Sequence, residues 1–209
     1  MRWLAALIFL AAPALAEGER AGTFDYYVLS LSWSPTWCAL EGDERGAPQC
    51  DPARGHGWVL HGLWPQYEAG WPSWCHTTAR DPGRAETAAM ADIMGNPGAA
   101  WYQWQKHGRC SGLAPGDYFA AARTAFEAVN RPALFRALRE AYRLPASVIE
   151  EAFLEANPAW QPDMLTVTCK QGRIQEARLC LTRDLEPRRC APDVARDCTM
   201  TDALIEPIP

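Results

Sequence analysis

The distribution of apolar residues along the chain predicts its strands and helices. Four segments have the composition of buried strands: residues 24–33, 57–61, 165–170 and 173–182. The second of these stops at Gly62 and Pro65, and a tight turn at Gln171 and Gly172 joins the last two. The predicted strands therefore lie towards the two ends of the chain.

Between the strands, apolar residues recur at helical spacing. The predicted helices cover residues 84–94, 97–107, 117–130, 132–142 and 147–157. Pro97 suits the first turn of its helix, and Ser147 with Glu150 has the spacing of a capping box. Strands at both ends with helices between them predict an α+β fold, with an antiparallel β-sheet core and several helices packed on it. No linker, charge run or repeat divides the chain, so we expect a single domain.

The first residues have the pattern of a secretory signal peptide. Arg2 precedes an apolar run that closes on the small residues Ala14 and Ala16, so we expect a signal peptide over residues 1–16. A membrane anchor is the alternative, but the run is shorter than the ~20 residues needed to span a bilayer. We therefore expect an exported domain over residues 17–209, periplasmic or secreted, with no membrane segment. The Ala- and Arg-rich composition suggests a bacterial source.

The expected mature chain contains an even number of cysteines, at Cys38, Cys50, Cys75, Cys110, Cys169, Cys180, Cys190 and Cys198. Behind a signal peptide, an even count predicts disulfide bonds in an oxidising compartment. A zinc site is the alternative. Zinc ligands usually include a close Cys-x-x-Cys pair, and no two cysteines of this chain lie that close in sequence. We therefore expect a disulfide-stapled domain with no metal, and the spacing alone leaves the pairing open.

The formal net charge of −5 at pH 7 restricts how the protein can act on nucleic acid. Tight, non-specific binding draws its free energy from the neutralisation of phosphates, which an acidic protein opposes. Any action on nucleic acid is therefore expected to be turnover in a local cleft.

Two of the histidines lie in segments rich in polar and aromatic groups. His61 ends the second predicted strand, and Trp64 follows it closely. In the second predicted helix, Gln103 and His107 are four residues apart and lie on one face, with Lys106 on the neighbouring flank. Histidine is the usual acid–base group near neutral pH, so His61 and His107 are the candidate catalytic residues.

These two segments resemble the signatures of the ribonuclease T2 family, which includes bacterial ribonuclease I and the plant self-incompatibility ribonucleases. Residues 60–65 (Leu-His-Gly-Leu-Trp-Pro) resemble the first signature. Residues 103–110, which end in Lys-His-Gly-Arg-Cys, resemble the second. Residues 31–38, 165–169 and 178–180 resemble further segments of the family in the same order. The likeness covers most of the expected mature chain.

The resemblance implies a metal-independent endoribonuclease that needs no cofactor and cleaves single-stranded RNA with broad base specificity. By analogy with the family, His107 takes the proton of the 2′-hydroxyl and His61 protonates the departing 5′-oxygen. Lys106 stabilises the charge on phosphorus, and the product is a 2′,3′-cyclic phosphate. Each positioned proton transfer contributes on the order of 10²–10⁴ in rate. We expect the enzyme to be a monomer.

Two positions depart from the family's pattern. Gln103 stands where the family usually carries glutamate, so we expect activity to survive with a shifted pH profile. The alternative is an inactive exported RNA-binding or signalling protein on the same scaffold. Tyr102 stands where many relatives have a third histidine, so a phosphate contact there would come from a hydroxyl.

The tryptophans divide into substrate-binding and structural candidates. Trp64 is the first candidate for stacking on a base, because stacking tolerates any base, and a place in the core is the alternative. Trp71 and Trp74 are further candidates for stacking. Core or structural roles are assigned to Trp33, Trp37, Trp58 and Trp104, and surface or loop positions to His56 and His76.

The family's pattern also implies the disulfide pairing. The expected bonds are Cys38–Cys50, Cys75–Cys110, Cys169–Cys198 and Cys180–Cys190. The second of these would tether the loop after Trp64 to the end of the second histidine segment.

Overall fold

The computed structural model describes residues 19–209, so the predicted signal peptide lies outside the described residues. Its strands are β1 Tyr26–Trp33, β2 Trp58–Gln66, β3 Tyr142–Leu144, β4 Leu165–Lys170, β5 Arg173–Leu181 and β6 Ala203–Ile205. They form one sheet in the order β2-β1-β5-β6-β3, and β4 also pairs with β5. The pairing is antiparallel except where Arg173 of β5 meets Leu204 of β6. The predicted α+β class with an antiparallel sheet core is confirmed.

The helices lie mostly between β2 and β4 in sequence. They are α1 Ser34–Trp37, α2 Arg84–Ala88, α3 Ala91–Met94, α4 Pro97–Lys106, α5 Pro115–Ala128 and α6 Ala146–Ala156. Single turns of 3-10 helix cover Pro48–Cys50, Pro52–Arg54, Gly108–Ser111, Ala133–Ala137 and Pro162–Met164, and a π-turn covers Cys38–Gly42. Within residues 19–209, no helix is long and apolar enough to cross a membrane.

One face of the central strands forms the hydrophobic core. In β1, Tyr27, Leu29 and Leu31 are buried on this face, and Leu179 and Ala177 of β5 lie beside them. Buried aromatic side chains of α4, α5 and α6 cover it: Trp104, Phe126 and Phe153. Each such side chain contributes about 1.5–3 kcal/mol when it is fully buried. The core therefore fixes the sheet from one side. The opposite face buries a second, smaller cluster that includes Tyr26, Val28 and Cys180.

The opposite face of the same strands carries polar groups. Because side chains alternate along a strand, Ser30 and Ser32 of β1 point away from the core. They pair with Arg178 and Glu176 of β5 in the antiparallel register. We call this surface the site face, and Glu176 and Arg178 on it line one cavity together with His61 and His107.

The prediction that the second strand stops at Gly62 and Pro65 is wrong, because β2 runs on past both residues. The residues on either side of His61 pair with Ser30 and Leu31, which are consecutive in β1. His61 is therefore the extra residue of a β-bulge, a device that re-aims a side chain. β2 lies at the edge of the sheet, where proline is tolerated because the strand has a partner on only one side.

Three helical predictions are also corrected. Residues 84–94 form two short helices, α2 and α3, with a turn at the buried Met90 between them. The helix predicted over 132–142 is wrong, because a 3-10 turn buries Phe135 against Trp33 and Trp58 and the chain then enters β3. Tertiary packing and pairing with β6 therefore override the helical pattern of that segment.

The capping box predicted at Ser147 is wrong as well. Helix α6 begins one residue earlier, at Ala146, and no side chain caps it. The backbone N–H of Ala146 instead donates to the carbonyl oxygen of Met200 at 2.9 Å. A tertiary contact therefore satisfies one of the N–H groups that a capping side chain would otherwise serve.

All eight cysteines form the four predicted disulfides. The bonds are Cys38–Cys50, Cys75–Cys110, Cys169–Cys198 and Cys180–Cys190. Cys75–Cys110 closes a loop with a sequence separation of 35 residues and ties the segment after β2 to the end of α4. The loop that follows the first histidine segment is thus covalently linked to the end of the second.

Candidate active site

Two adjoining cavities open on the site face. The first has a volume of about 430 Å³, and we call it the histidine cavity because His61 and His107 both line it. The second, which we call the neighbouring cavity, has a volume of about 480 Å³. Residues that line both are His61, Tyr102, Gln103, Gln175 and Glu176. His61 therefore stands at the boundary between the two spaces.

The bulge in β2 turns His61 towards a buried carboxylate. Its Nδ1 lies 2.5 Å from Oε1 of Glu176. The side chain of His61 is 41% exposed, whereas that of Glu176 is 2% exposed. The other carboxylate oxygen of Glu176 accepts hydrogen bonds from Nε and Nη2 of Arg178, at 2.9 and 2.7 Å.

Glu176 is ionised in this surrounding. Burial raises the pKa of its carboxyl, but the hydrogen bond and charge of His61 and the contacts with Arg178 outweigh it and lower the pKa to about 2. A buried carboxylate is tolerated where it is paired and hydrogen-bonded. Glu176 and Arg178 both line the histidine cavity.

Helix α4 positions the second histidine. The helix begins after Asn96, whose side chain accepts a hydrogen bond from the backbone N–H of Ala99 at 2.8 Å, and Pro97 occupies its first turn. His107 follows the last helical residue, and its backbone N–H still donates to the carbonyl oxygen of Gln103. The prediction of this helix is confirmed to within one residue.

His107 is buried and held neutral. Burial, then the charges of Lys106 and His61, lower its pKa to about 3. Its Nδ1 atom is buried and has no hydrogen-bond partner among residues 19–209. Because an imidazolium needs partners for both N–H groups, this surrounding favours the uncharged ring.

The cavity wall beside His107 carries a cation. Lys106 lines the histidine cavity, as the helical spacing predicts. Its carbonyl oxygen accepts a hydrogen bond from the backbone N–H of Trp74 at 2.9 Å, next to the disulfide Cys75–Cys110. The end of α4 is therefore fixed to the loop that follows β2.

Trp64 lies between the two histidines. Its ring centroid is 5.1 Å from that of His61 and 5.2 Å from that of His107. The guanidinium carbon of Arg178 lies 5.4 Å from its ring. Trp64 is half-buried and lines the histidine cavity, so it separates the two imidazoles, and base stacking on it stays a prediction.

Gln103 is buried and bonds to Trp64. Its Oε1 accepts a hydrogen bond from the indole Nε1 of Trp64 at 2.8 Å. Gly62 allows this approach, because a Cβ there would lie 2.5 Å from Gln103 Oε1 and closer still to Trp64 Nε1. The amide thus holds the indole that stands between the histidines.

The remaining predicted residues lie at the rim or in the core. Tyr102 is 48% exposed, lines both cavities and contacts Trp74, which is also exposed. Trp71 is exposed and lines the histidine cavity. Trp33, Trp58 and Trp104 are buried as predicted, whereas Trp37 is half-buried and lines the neighbouring cavity, and of the surface histidines His76 is exposed and His56 half-buried.

One group of residue types that can bind metals lies close together in the described part of the chain. It consists of Cys38, Asp43 and Cys50. The two sulfurs are joined in a disulfide, so neither is available as a thiolate ligand. This group lies in the Cys38–Cys50 loop and lines neither cavity.

Sequence reasoning missed Glu176 and Arg178. Both lie in a strand that was predicted correctly, two positions apart and hence on one face. Two charged residues at that spacing between apolar ones indicate a polar strand face. They do not indicate which residue of another segment the charged side chains contact. The partner His61 is 115 residues away in sequence.

Comparison with known proteins supports a relationship over most of the described chain. The sequence model of the Ribonuclease T2 family matches residues 24–190. A ribonuclease of Aeromonas hydrophila is 44% identical over 107 residues, which are 51% of this chain and 46% of that protein. A probable ribonuclease of Haemophilus influenzae is 33% identical over 122 residues, which are 52% of this chain and 44% of that protein. The chain thus spans about half the length of these two relatives.

Solved structures share the fold. An RNase-related protein from Calystegia sepium has a TM-score of 0.65 at 21% identity, over 89% of this chain and 97% of that one. RNase NT in complex with 5′-AMP has a TM-score of 0.59 at 20% identity, over 88% of this chain and 98% of that one. At these identities, the likeness establishes the architecture of the chain.

Proposed function

This chain belongs to the ribonuclease T2 family, and we propose that it is a metal-independent endoribonuclease whose acid–base pair is His61 and His107. The observation that carries the proposal is that two imidazoles line one cavity in opposite electrostatic surroundings. Titratable groups whose environments differ in this way can divide the roles of acid and base between them.

The surroundings assign the roles. His107 is the base in this proposal, because burial keeps its ring unprotonated, as a general base must be before it removes a proton. His61 is the acid in this proposal, because its Nδ1 binds the carboxylate of Glu176 at 2.5 Å, which leaves Nε2 to hold and release the proton. This assignment agrees with the one that the family resemblance implies.

The proposed reaction uses the 2′-hydroxyl that distinguishes RNA from DNA. His107 removes the proton of the 2′-hydroxyl, and the 2′-oxygen bonds to phosphorus. The bond from phosphorus to the 5′-oxygen breaks, and His61 donates its proton to that oxygen. The product is a 2′,3′-cyclic phosphate, which water can hydrolyse in a second step with the roles reversed.

Two cations face the phosphate in this proposal. Lys106 and Arg178 both line the histidine cavity. Charge placed where it develops in the transition state stabilises that state. The two cavities would accept the nucleosides on either side of the scissile phosphate, with Trp64 and Tyr102 as aromatic contacts of broad specificity.

We also propose that the protein is exported, to the periplasm or beyond. The N-terminal segment has the pattern of a signal peptide. The four disulfides require an oxidising compartment to form and persist. We expect a monomeric enzyme.

The test is cleavage of single-stranded RNA by the oxidised protein with EDTA present, with the products examined for 2′,3′-cyclic ends. We expect cyclic ends, near-complete loss of cleavage in His61→Ala and His107→Ala, and normal cleavage in the matched control His76→Ala. Cleavage that requires an added divalent metal would contradict the proposal. Absence of cleavage between pH 4 and pH 8 would favour a non-catalytic RNA-binding protein.

A further inference from the structure

Glu176 is the most deeply buried charged group of the site. It projects from the site face of β5, opposite Ser32 of β1, and both of its oxygens are engaged. One oxygen meets His61 Nδ1, and the other is held by two nitrogens of Arg178. Of the residues in these contacts, only His61 belongs to a segment that resembles one of the family's two histidine signatures.

We propose that Glu176 is a positioning residue that fixes the tautomer and orientation of His61, with Arg178 holding Glu176 in place. The inference rests on the proposed function, because it assigns a role within the same reaction. The hydrogen bond from Nδ1 to Glu176 leaves Nε2 of His61 as the nitrogen that delivers the proton to the leaving oxygen.

The tautomer follows from the chemistry of the carboxylate. An ionised carboxylate has only acceptor sites, so the hydrogen bond at 2.5 Å requires that Nδ1 of His61 carries the hydrogen. After His61 gives up the proton on Nε2, the neutral ring keeps the Nδ1–H and its bond to Glu176. Glu176 does not take the proton itself, since its pKa of about 2 keeps it ionised.

Because His61 lies in a β-bulge, its orientation depends on the contact with Glu176. His61 is an extra residue without a partner in β1, so the ladder alone does not fix its direction. The ring is also 41% exposed, so packing restrains it on one side only. The bond to a buried and clamped carboxylate supplies the missing restraint.

Arg178 supports the orientation of His61 through its contacts with the carboxylate of Glu176 and the indole of Trp64. It donates two hydrogen bonds to Glu176, and its guanidinium lies over Trp64, which itself contacts His61. An arginine in two such contacts keeps Glu176 from rotating away from the histidine. A lysine would lack the planar pair of donors that makes this possible.

The kinetic test compares two substrates that differ in their need for an acid. A ribodinucleotide has an alkoxide leaving group that needs protonation, whereas a nucleoside 3′-(4-nitrophenyl phosphate) releases a stable phenolate. In Glu176→Gln we expect kcat on the dinucleotide to fall about 100-fold with little change in KM, and kcat on the activated substrate to fall less than about 10-fold. Equal losses on both substrates would overturn the proposal, because they would indicate a general structural defect.

Two further variants complete the kinetic test. Glu150→Gln is the matched control, since Glu150 is a half-buried carboxylate that lines neither cavity, and we expect unchanged kinetics. Glu176→Asp keeps the charge on a shorter side chain, and we expect partial recovery relative to Glu176→Gln. If Glu176→Gln cleaves the dinucleotide at the wild-type rate, the positioning role is refuted.

A spectroscopic test is independent of activity. ¹⁵N NMR of the histidine rings, with the His61 signals assigned by their loss in His61→Gln, reports which nitrogen carries the hydrogen in the neutral ring. We expect the Nδ1–H form in the wild type and a shift towards the Nε2–H form in Glu176→Gln. A wild-type ring in the Nε2–H form would overturn the inference even if the protein cleaves RNA. A protein that shows the Nδ1–H form but does not cleave RNA would contradict the proposed function alone.

Discussion

The buried, uncharged state of His107 has a measurable consequence for stability. The ordinary pKa of histidine is 6.5, and the folded protein lowers that of His107 to about 3. Between these two values the unfolded chain binds a proton at this residue and the folded chain does not. The contribution of His107 to stability is therefore complete above about pH 6.5 and is lost as the pH falls towards about 3.

The magnitude follows from the linkage relation. For a histidine with these two pKa values, the unfolding free energy falls by about 1.4 kcal/mol for each pH unit by which the pH drops between them. The total loss from pH 8 to pH 4 is about 3 kcal/mol. The variant His107→Gln has no titrating ring at this position and lacks this loss. The difference in unfolding free energy between the wild type and His107→Gln should therefore change by about 3 kcal/mol over that range, to the disadvantage of the wild type at low pH.

The assay is urea denaturation of the oxidised protein at several pH values between 4 and 8. Subtracting the unfolding free energies of the two proteins at each pH cancels the contribution of every titrating group that they share. His76→Gln is the control, since His76 is exposed, and its difference from the wild type should be nearly constant. If the His107→Gln difference is also constant, the pKa of His107 does not differ between the folded and the unfolded protein, and burial does not hold its ring uncharged in the manner described.

Three further predictions concern the residues around the histidines. Gln103→Glu can still accept the bond from Trp64 and adds negative charge to the cavity, so the pH optimum of RNA cleavage should move upwards; an unchanged profile would show that this position has little influence. Gly62→Ala should lower the unfolding free energy measured in urea by about 1–3 kcal/mol and remove most activity, because its Cβ would displace the hydrogen-bonded side chains of Trp64 and Gln103. Normal activity would contradict the close packing. The paired replacement of Cys75 and Cys110 by serine should lower the unfolding free energy by about 3–4 kcal/mol for a loop of 35 residues, and RNA cleavage with it; equal stability of the two proteins would exclude a cross-link of this kind.

Features of the site that depend on local geometry could be predicted from the sequence. Gln103, Lys106 and His107 lie where helical spacing places them, because residues three and four apart share a helix face regardless of the rest of the fold. The β4–β5 hairpin is also local, since a short turn joins its strands. The disulfide pairing, in contrast, depended on the family's pattern, because spacing alone does not determine it.

Features that depend on pairing between distant segments could not be predicted. The bulge at His61 exists only in the register of β2 against β1, and a glycine after a strand residue has the same local pattern as a strand end. Glu176 comes close to His61 only because β1 pairs with β2 along one edge and with β5 along the other. A glutamate in a strand otherwise indicates a solvent-exposed position.

Packing also reversed one local preference. The segment around Phe135 has helical spacing, yet its aromatic side chain is fully buried against Trp33 and Trp58 from the sheet. Burial of that ring outweighs helix propensities of less than about 1 kcal/mol per residue. The short strand β3 that follows has too few residues for its pattern to stand out.

The most direct test of the central claim uses DNA oligonucleotides that each contain a single ribonucleotide. With EDTA present, the wild-type protein should cut each strand only after the ribonucleotide and leave a 2′,3′-cyclic end, and both His61→Ala and His107→Ala should leave the strands intact. Cleavage at a 2′-deoxy position, or normal cleavage by either variant, would contradict the assignment of these two histidines as the acid and the base.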